Sequence, residues 1–327
     1  MFRSQLLALG RTGFRFPVVA ASSGLALLLA GCGAQIGSGD TANAEDAADL
    51  PEGAVAEIAE MVPQAVSEDG TFVVASEIYP PGVIVPDDGS APSGFEISTA
   101  QEIATIFGLE YQPEIIPFDS IIPSLQANRY EAAIGEIALN EERVNTLTFV
   151  QNRDSKDGFL VAADSDITEL EDQYSLCGMR LSALVGSVEE TRAKDIAAMC
   201  EEAGEPALTV TTYKDQAAAD LAVETGREDI SFSSSTQAAY NGENSDGRLR
   251  FVEQPWTIEN YGTGVVIADT DYQEDMAAAV EAALDHMIEN GRMAEINEEF
   301  AYGLGGVGDA VTFAKGTGGD LTPVVQP

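Results

Sequence analysis

An α/β protein of two lobes with a cleft between them is the fold the sequence predicts, and three observations predict it. From Thr71 onward, short apolar runs alternate with amphipathic helical stretches, the pattern of strands buried in a sheet and covered by helices. The alternation comes in two series, separated by polar segments near 152–157 and 256–263. The body that carries it, roughly 240 residues, is near the size at which one hydrophobic core divides into two. Ligands in such folds favour domain interfaces and the carboxyl ends of strands, so the cleft is where a site is expected.

The first series opens with the apolar run 72–76, which reads as a buried strand, followed by the turn-rich Tyr79-Pro80-Pro81-Gly82. A helix at 99–107 is stopped by Gly108, a residue suited to a C-cap. Strand 111–116, helix 120–128 and strand 132–135 come next, and Asn140 is placed to cap a short helix at Glu141-Glu142-Arg143. After the polar connector the second series runs through strands 159–161 and 180–185, helix 189–200, strand 208–212, helix 215–224 and strand 229–233. The chain then crosses back and ends with strand 264–268 and a long helix at 272–290. The stretch 303–327 is rich in glycine and is expected to be loosely ordered.

Upstream, Leu29-Ala30-Gly31-Cys32 closes an apolar stretch at 17–30 that is preceded by Arg3, Arg11 and Arg15 and by no acidic residue. The run resembles a bacterial lipobox. That resemblance makes 1–31 a lipoprotein signal peptide, with cleavage before Cys32 and a diacylglyceryl group on its thiol. About 14 apolar residues are fewer than the roughly 20 that span a bilayer, which argues against an uncleaved membrane helix. Residues 32–68 are rich in Gly, Ala, Ser, Asp and Glu and read as a lipidated flexible tether. A short helix at 54–61 has too little apolar surface to stand alone. Two acyl chains suffice for a stable anchor, so contact with the cell membrane is expected through the lipid only, on its extracytoplasmic side.

The 327 residues include 16 basic and 55 acidic ones, a formal net charge of -39. Loss of 1–31 removes three of the basic residues and none of the acidic, leaving 13 against 55, or -42. Such a surface repels phosphate backbones and anionic headgroups, which excludes nucleic acid as a partner. Solubility or tolerance of salt accounts for the acidity without a cationic partner. His286, the single histidine, lies in a helical stretch without a second His or Cys at ligand spacing. No metal site, cofactor or imidazole-based triad is therefore expected. With Cys32 lipidated, Cys177 and Cys200 remain, either as a bridge worth about 3 kcal/mol by the chain-entropy model or as two separately buried thiols.

Several segments in one order carry a wider resemblance: Tyr79-Pro80-Pro81, Gly94-Phe95-Glu96-Ile97 before a helix, and Phe118-Asp119-Ser120-Ile121-Ile122-Pro123-Ser124-Leu125. Tyr130-Glu131-Ala132-Ala133-Ile134, Asn140-Glu141-Glu142-Arg143 leading to Phe149, and Asn290-Gly291-Arg292 complete the series. From about Thr71 to Tyr302 the chain resembles the type II extracytoplasmic solute-binding proteins of ABC importers, in the family that binds polar amino acids. The resemblance implies a type II periplasmic-binding-protein-like fold over 69–305, with lobe 1 at 71–154 and 264–305, lobe 2 at 160–256, and a glycine-rich tail at 306–327. It implies a monomer that closes on a small polar carboxylate-bearing solute, an amino acid or zwitterionic derivative, and delivers it to the transmembrane subunits of an ABC permease. Cys177 and Cys200 look like the disulfide of the lipoprotein branch of this family.

The same resemblance assigns site residues. Arg143 matches the arginine that grips the ligand carboxylate, since a guanidinium fork offers paired, charge-assisted bonds; a surface ion pair with Glu141 or Glu142 is the plainer use of such a residue. Ser187 and Val188, after Gly186, open a helix whose free amides suit the same carboxylate or simply begin a helix. Tyr79 and Phe118 match an aromatic sandwich, with core packing as the alternative. Ser76 and Glu77 flank the same loop. Three positions depart from the family: Val188 where threonine is common, Ala138 where a hydroxyl is common, and Ser234 where an aspartate usually receives the ligand's ammonium. Glu136, two residues beyond the strand at 132–134, is the best substitute acid or else an exposed loop carboxylate. The alternative function is an exported dehydratase of the same fold acting on a small carboxylic acid, with Glu77, Glu136 and Arg143 as acid, base and clamp.

Overall fold

The apolar run at 72–76 becomes β1 (Thr71–Ser76), one strand in from the edge of a six-stranded sheet, in a computed structural model that describes residues 50–252, 254, 256, 262–300 and 308–317. The proposed signal peptide, Cys32 and the tether up to residue 49, and residues 257–261 of the second crossing, lie outside the described residues. β2 (Glu110–Ile115) and β3 (Ala132–Ala133) flank β1 in parallel. Beyond β3 the sheet continues through β10 (Thr263–Ile267), β4 (Thr148–Arg153) and β11 (Val311–Phe313), each antiparallel to its neighbour. The central strands β1, β3 and β10 bury both faces, which is why their sequences are almost uninterruptedly apolar. Phe72 and Val74 enter one core with α3 (Phe95–Phe107), α9 (Gln273–Glu289) and α10 (Arg292–Phe300), whereas Ala75 enters the other with α4 (Phe118–Gln126). β10 repeats the alternation, with Val265 and Ile267 on the first face and Val266 on the second.

α3 begins four residues earlier than the sequence pattern suggests. Gly94, at φ 123°, makes the sharp approach, and a Cβ there would lie 2.2 Å from the Gly82 carbonyl oxygen. The helix ends on Gly108 at φ 72°, as expected. α5 (Glu141–Val144) is capped by Asn140, whose Oδ1 accepts the Arg143 amide at 2.8 Å.

The second lobe is a five-stranded sheet. β6 (Arg180–Leu184) lies between parallel β7 (Thr209–Tyr213) and β8 (Ile230–Ser234), and β5 (Asp157–Ala162) joins antiparallel β8 to β9 (Leu249–Val252). α6 (Val188–Ala203), α7 (Gln216–Glu224) and α8 (Ser235–Glu243) cover it. Cys177 and Cys200 form a disulfide, Cα–Cα 5.7 Å, that ties the start of this sheet to the last turns of α6.

Two segments are more ordered than the sequence suggests. The stretch expected to be tether up to residue 68 contains α1 (Ala56–Ala59) and α2 (Gln64–Ser67), and Ile58, Val62 and Val66 are buried in the first core. Ile58 on α1, Val62 in the turn between the helices and Val66 on α2 all reach the first core, and the short helices that cannot stand alone are held by this docking. Within the glycine-rich tail, Val311–Phe313 forms the edge strand β11, because it pairs with the open edge of β4 and packs Phe313 on the second core. Among the described residues no helix is long and apolar enough to cross a membrane.

Candidate ligand-binding site

The carboxyl ends of the parallel strands from both sheets converge on one cleft, which encloses about 480 Å³ of atom-free space including its mouth. Lobe 1 contributes Glu77 and Tyr79 after β1, Phe118 opening α4, and Glu136 and Ala138 after β3. Lobe 2 contributes Ser187, Val188 and Glu189 at the start of α6, Gln216 at the start of α7, and Ser233 and Ser234 closing β8. The first crossing adds Ser155 and Asp157. This is where α/β sheets place their ligands, because loops at strand carboxyl ends meet exposed helix N-termini.

Of the residues singled out from sequence, Glu77, Tyr79, Phe118, Glu136, Ala138, Ser187, Val188 and Ser234 line the cleft together. Ser76 does not: it is wholly buried at the strand end, and its Oγ has no hydrogen-bond partner. Arg143 lies just behind the lining. Its guanidinium donates to the Ala138 carbonyl at 2.7 Å and, across the cleft, to the Gly186 carbonyl at 2.9 Å, while the Phe118 ring covers it at 5.4 Å. It makes no ion pair with Glu141 or Glu142; two of its five N–H donors are engaged by these carbonyls. Tyr79 combines the two roles considered for it. Its ring packs edge-on to Phe95 at 6.1 Å in the core, and its hydroxyl reaches Ser234 Oγ at 3.1 Å.

Glu136 is no exposed loop acid. Ser155 donates to its Oε1 at 2.9 Å and Ser234 to its Oε2 at 3.0 Å, so it links lobe 1 to the crossing and to lobe 2. Its backbone is left-handed, φ 52°, and its amide donates to the buried Glu96 at 2.9 Å. Glu96 faces Arg153 at 3.9 Å, both side chains being almost fully buried. Ser234 Oγ is saturated: it donates to Glu136 and accepts from the Tyr79 hydroxyl and from the Gln237 amide at 3.2 Å. At the head of α6, the Gly186 amide goes to Glu190 and the Glu190 amide to Ser187 Oγ. The amides of Val188 and Glu189 remain for a ligand.

The cleft is acidic. Glu77, Glu136, Asp157 and Glu189 line it against the single lining guanidinium of Arg192, with Arg143 at its edge. Burial pushes Glu136 up to about 7, despite the two serine hydroxyls that favour its charged form. Glu77 is raised well above the usual carboxylate range by burial, then by Glu189 and Asp215, and Arg143 only partly offsets this. Among the described residues no donor reaches the Glu77 carboxylate. Burial also raises Asp157, which is ion-paired to Arg192. Burial lowers Arg143 to about 10.

Sequence reasoning missed part of the lobe 2 wall, Glu189, Arg192, Gln216 and Gln237, and missed Ser155 and Asp157 at the crossing. One signal was available. Glu189 and Gln216 stand one or two residues after the cap residues Ser187 and Asp215, at helix starts that follow strands.

These features are those of a two-lobed solute trap, and comparison with known proteins agrees. The model of the bacterial extracellular solute-binding proteins, family 3, matches residues 72–303, and the chain belongs to that family. It is therefore an extracytoplasmic solute-binding protein of the ABC-importer type, not an enzyme. The arginine-binding protein ArgT of Corynebacterium glutamicum is 28% identical over 239 residues, 72% of this chain and 76% of that one. An ancestral arginine-binding protein bound to arginine shares the fold, with TM-score 0.63 at 23% identity over 71% of this chain and 98% of that one. So does an ancestral amino acid-binding protein described as a precursor of cyclohexadienyl dehydratase, with TM-score 0.62 at 20% identity over 72% and 97%.

Proposed function

We propose that this solute-binding protein is tethered to the membrane by a lipid on Cys32 and captures a basic amino acid for an ABC permease. One observation carries the choice of ligand: Glu77, a buried carboxyl facing the cleft, has no donor among the described residues and so calls for a cation from the solute. The carboxylate of the solute goes to Arg143 and the free amides of Val188 and Glu189. Its α-ammonium goes to Glu136, which stands in for the acid absent at Ser234. Its stem lies against Tyr79 and Phe118, and its distal cation meets Glu77. An arginine-binding relative supports this reading.

Contacts from both lobes to one solute favour the closed arrangement, because only differential affinity for that state shifts the equilibrium. The lipid keeps the cleft beside its permease; residues from Ala54 to Ser67 pack on lobe 1, so the span available for reach ends before them.

Calorimetry with arginine, lysine, ornithine, glutamine and glutamate tests the ligand. The three basic amino acids are expected to bind in the micromolar range or tighter, and glutamate not at all. Tight glutamate binding with no response to arginine would overturn it. Detergent partitioning of the full chain and of Cys32→Ala tests the anchor, which is wrong if both behave alike.

A further inference from the structure

Behind the lobe 2 wall lies a polar cluster that the ligand model does not use. Asp220, buried on α7, accepts Gln216 Nε2 at 2.9 Å and Ser231 Oγ at 2.6 Å on one carboxylate oxygen, and Asn241 Nδ2 at 2.6 Å on the other. Gln216 Nε2 also donates to Ser231 Oγ at 2.9 Å. Both hydrogens of the Gln216 amide are thus consumed inside lobe 2. Reversing that amide would bring its Oε1 against a carboxylate that can only accept, so one orientation is enforced. Among the described residues no donor reaches Oε1, and Gln216 lines the cleft. An acceptor that faces a ligand cleft loses its water when a solute covers it, which is costly unless the solute supplies an N–H.

We infer that Gln216 is a specificity-determining hydrogen-bond acceptor for the distal end of the solute, and that Asp220 is the positioning residue that fixes it as an acceptor. The distal end is indicated because Gln216 and Glu77 line the same cleft from opposite lobes, while the proposed carboxylate and ammonium partners are Arg143, the head of α6 and Glu136. Glu77 and Gln216 then share one cationic group, which must carry at least two N–H donors. Glu77 selects the charge; Gln216 selects against analogues of the same shape that offer an acceptor. This rests on the basic amino acid reading above.

The test measures Kd for arginine and citrulline, which differ distally by an amidinium against a urea, in the wild type, Gln216→Met and Asp220→Asn. Gln216→Met is expected to weaken arginine about 10- to 100-fold and citrulline less than threefold. Asp220→Asn frees the Gln216 amide to turn, so the arginine-to-citrulline affinity ratio is expected to fall at least fivefold. The double variant is expected to match Gln216→Met alone, because Asp220 acts through Gln216. A merely structural Asp220 would lower the melting temperature and weaken both solutes equally. If the wild type binds arginine but the ratio stays within twofold in Gln216→Met, the subsite is wrong; because that variant also gives up two hydrogen bonds inside lobe 2, a cooperative melting curve identifies folded protein, and a wild type that binds citrulline as tightly as arginine overturns the subsite with no variant at all. If the wild type binds no basic amino acid, the underlying reading fails instead.

Discussion

Glu136→Gln separates the proposed ammonium site from a structural hydrogen bond. Burial holds this carboxyl at about 7. At pH 6 such a group is about nine-tenths protonated, so a solute that needs the carboxylate binds roughly tenfold more weakly than at pH 8, about 1.4 kcal/mol. Binding at pH 6 then releases close to one proton from this group, seen in calorimetry as an enthalpy that varies with the ionisation heat of the buffer. The glutamine variant is expected to release about 0.9 proton fewer and, at pH 8, to bind a basic amino acid about 30- to 100-fold more weakly. The ligand-free protein responds as well. The folded state holds this proton more tightly than the unfolded chain, so stability falls as pH rises from about 4.5 to about 7 and is level above, by at most about 3 kcal/mol from this group. The variant is expected to lose that part of the slope. Equal proton release in wild type and variant would refute the assignment.

Arg143→Ala is expected to abolish binding of every carboxylate solute, and Arg143→Lys to restore little, because the fork to the Ala138 and Gly186 carbonyls is lost with it; calorimetry reports both. Replacing Cys177 and Cys200 together by serine is expected to cost about 3 kcal/mol, read by urea denaturation, with ligand affinity within twofold of wild type. Arg153→Met leaves Glu96 buried without its partner and is expected to cost about 3–5 kcal/mol, whereas Glu96→Gln with Arg153→Met recovers part of that loss in the same assay. Val62→Asp is expected to detach the segment before β1 from the first core, seen as new protease cleavage within 50–67 while binding persists.

The elements legible in the sequence are those whose burial is uniform. β1 and β10 are apolar at almost every position and were readable as strands, as were the capped helices after Asn140 and Asp215. β4 was not readable. All six of its residues are buried, yet Gln151, Asn152 and Arg153 are polar, because the strand runs from the core into the polar interior near the crossing. α8 and α10 carry only a thin apolar stripe in polar sequence, Met293, Ile296 and Phe300 in the second case. The site was half legible for a related reason. Residues after β1 and β3 and before α6 fall in segments with a recognisable order, whereas Asp157, Arg192 and Gln216 become neighbours only when lobe 2 folds.

The proposed ammonium site accounts for the polar group of residues under the cleft. With serine at 234, the acid proposed to meet the ammonium is Glu136 on the other lobe, and the two are joined by a hydrogen bond across the cleft. Glu136, three residues after β3, has a left-handed backbone, a conformation that disfavours a residue with a Cβ by about 1 kcal/mol. The Glu96 carboxylate holds the amide of that residue, and Arg153 compensates the charge of Glu96 while donating to Thr99 and Asn297 behind it. A buried ion pair adds little stability by itself, since desolvation offsets its attraction. Here its effect is geometric: it holds the backbone conformation from which Glu136 reaches Ser155 at the crossing and Ser234 in lobe 2 together, so the acid proposed to receive the solute also joins the two lobes.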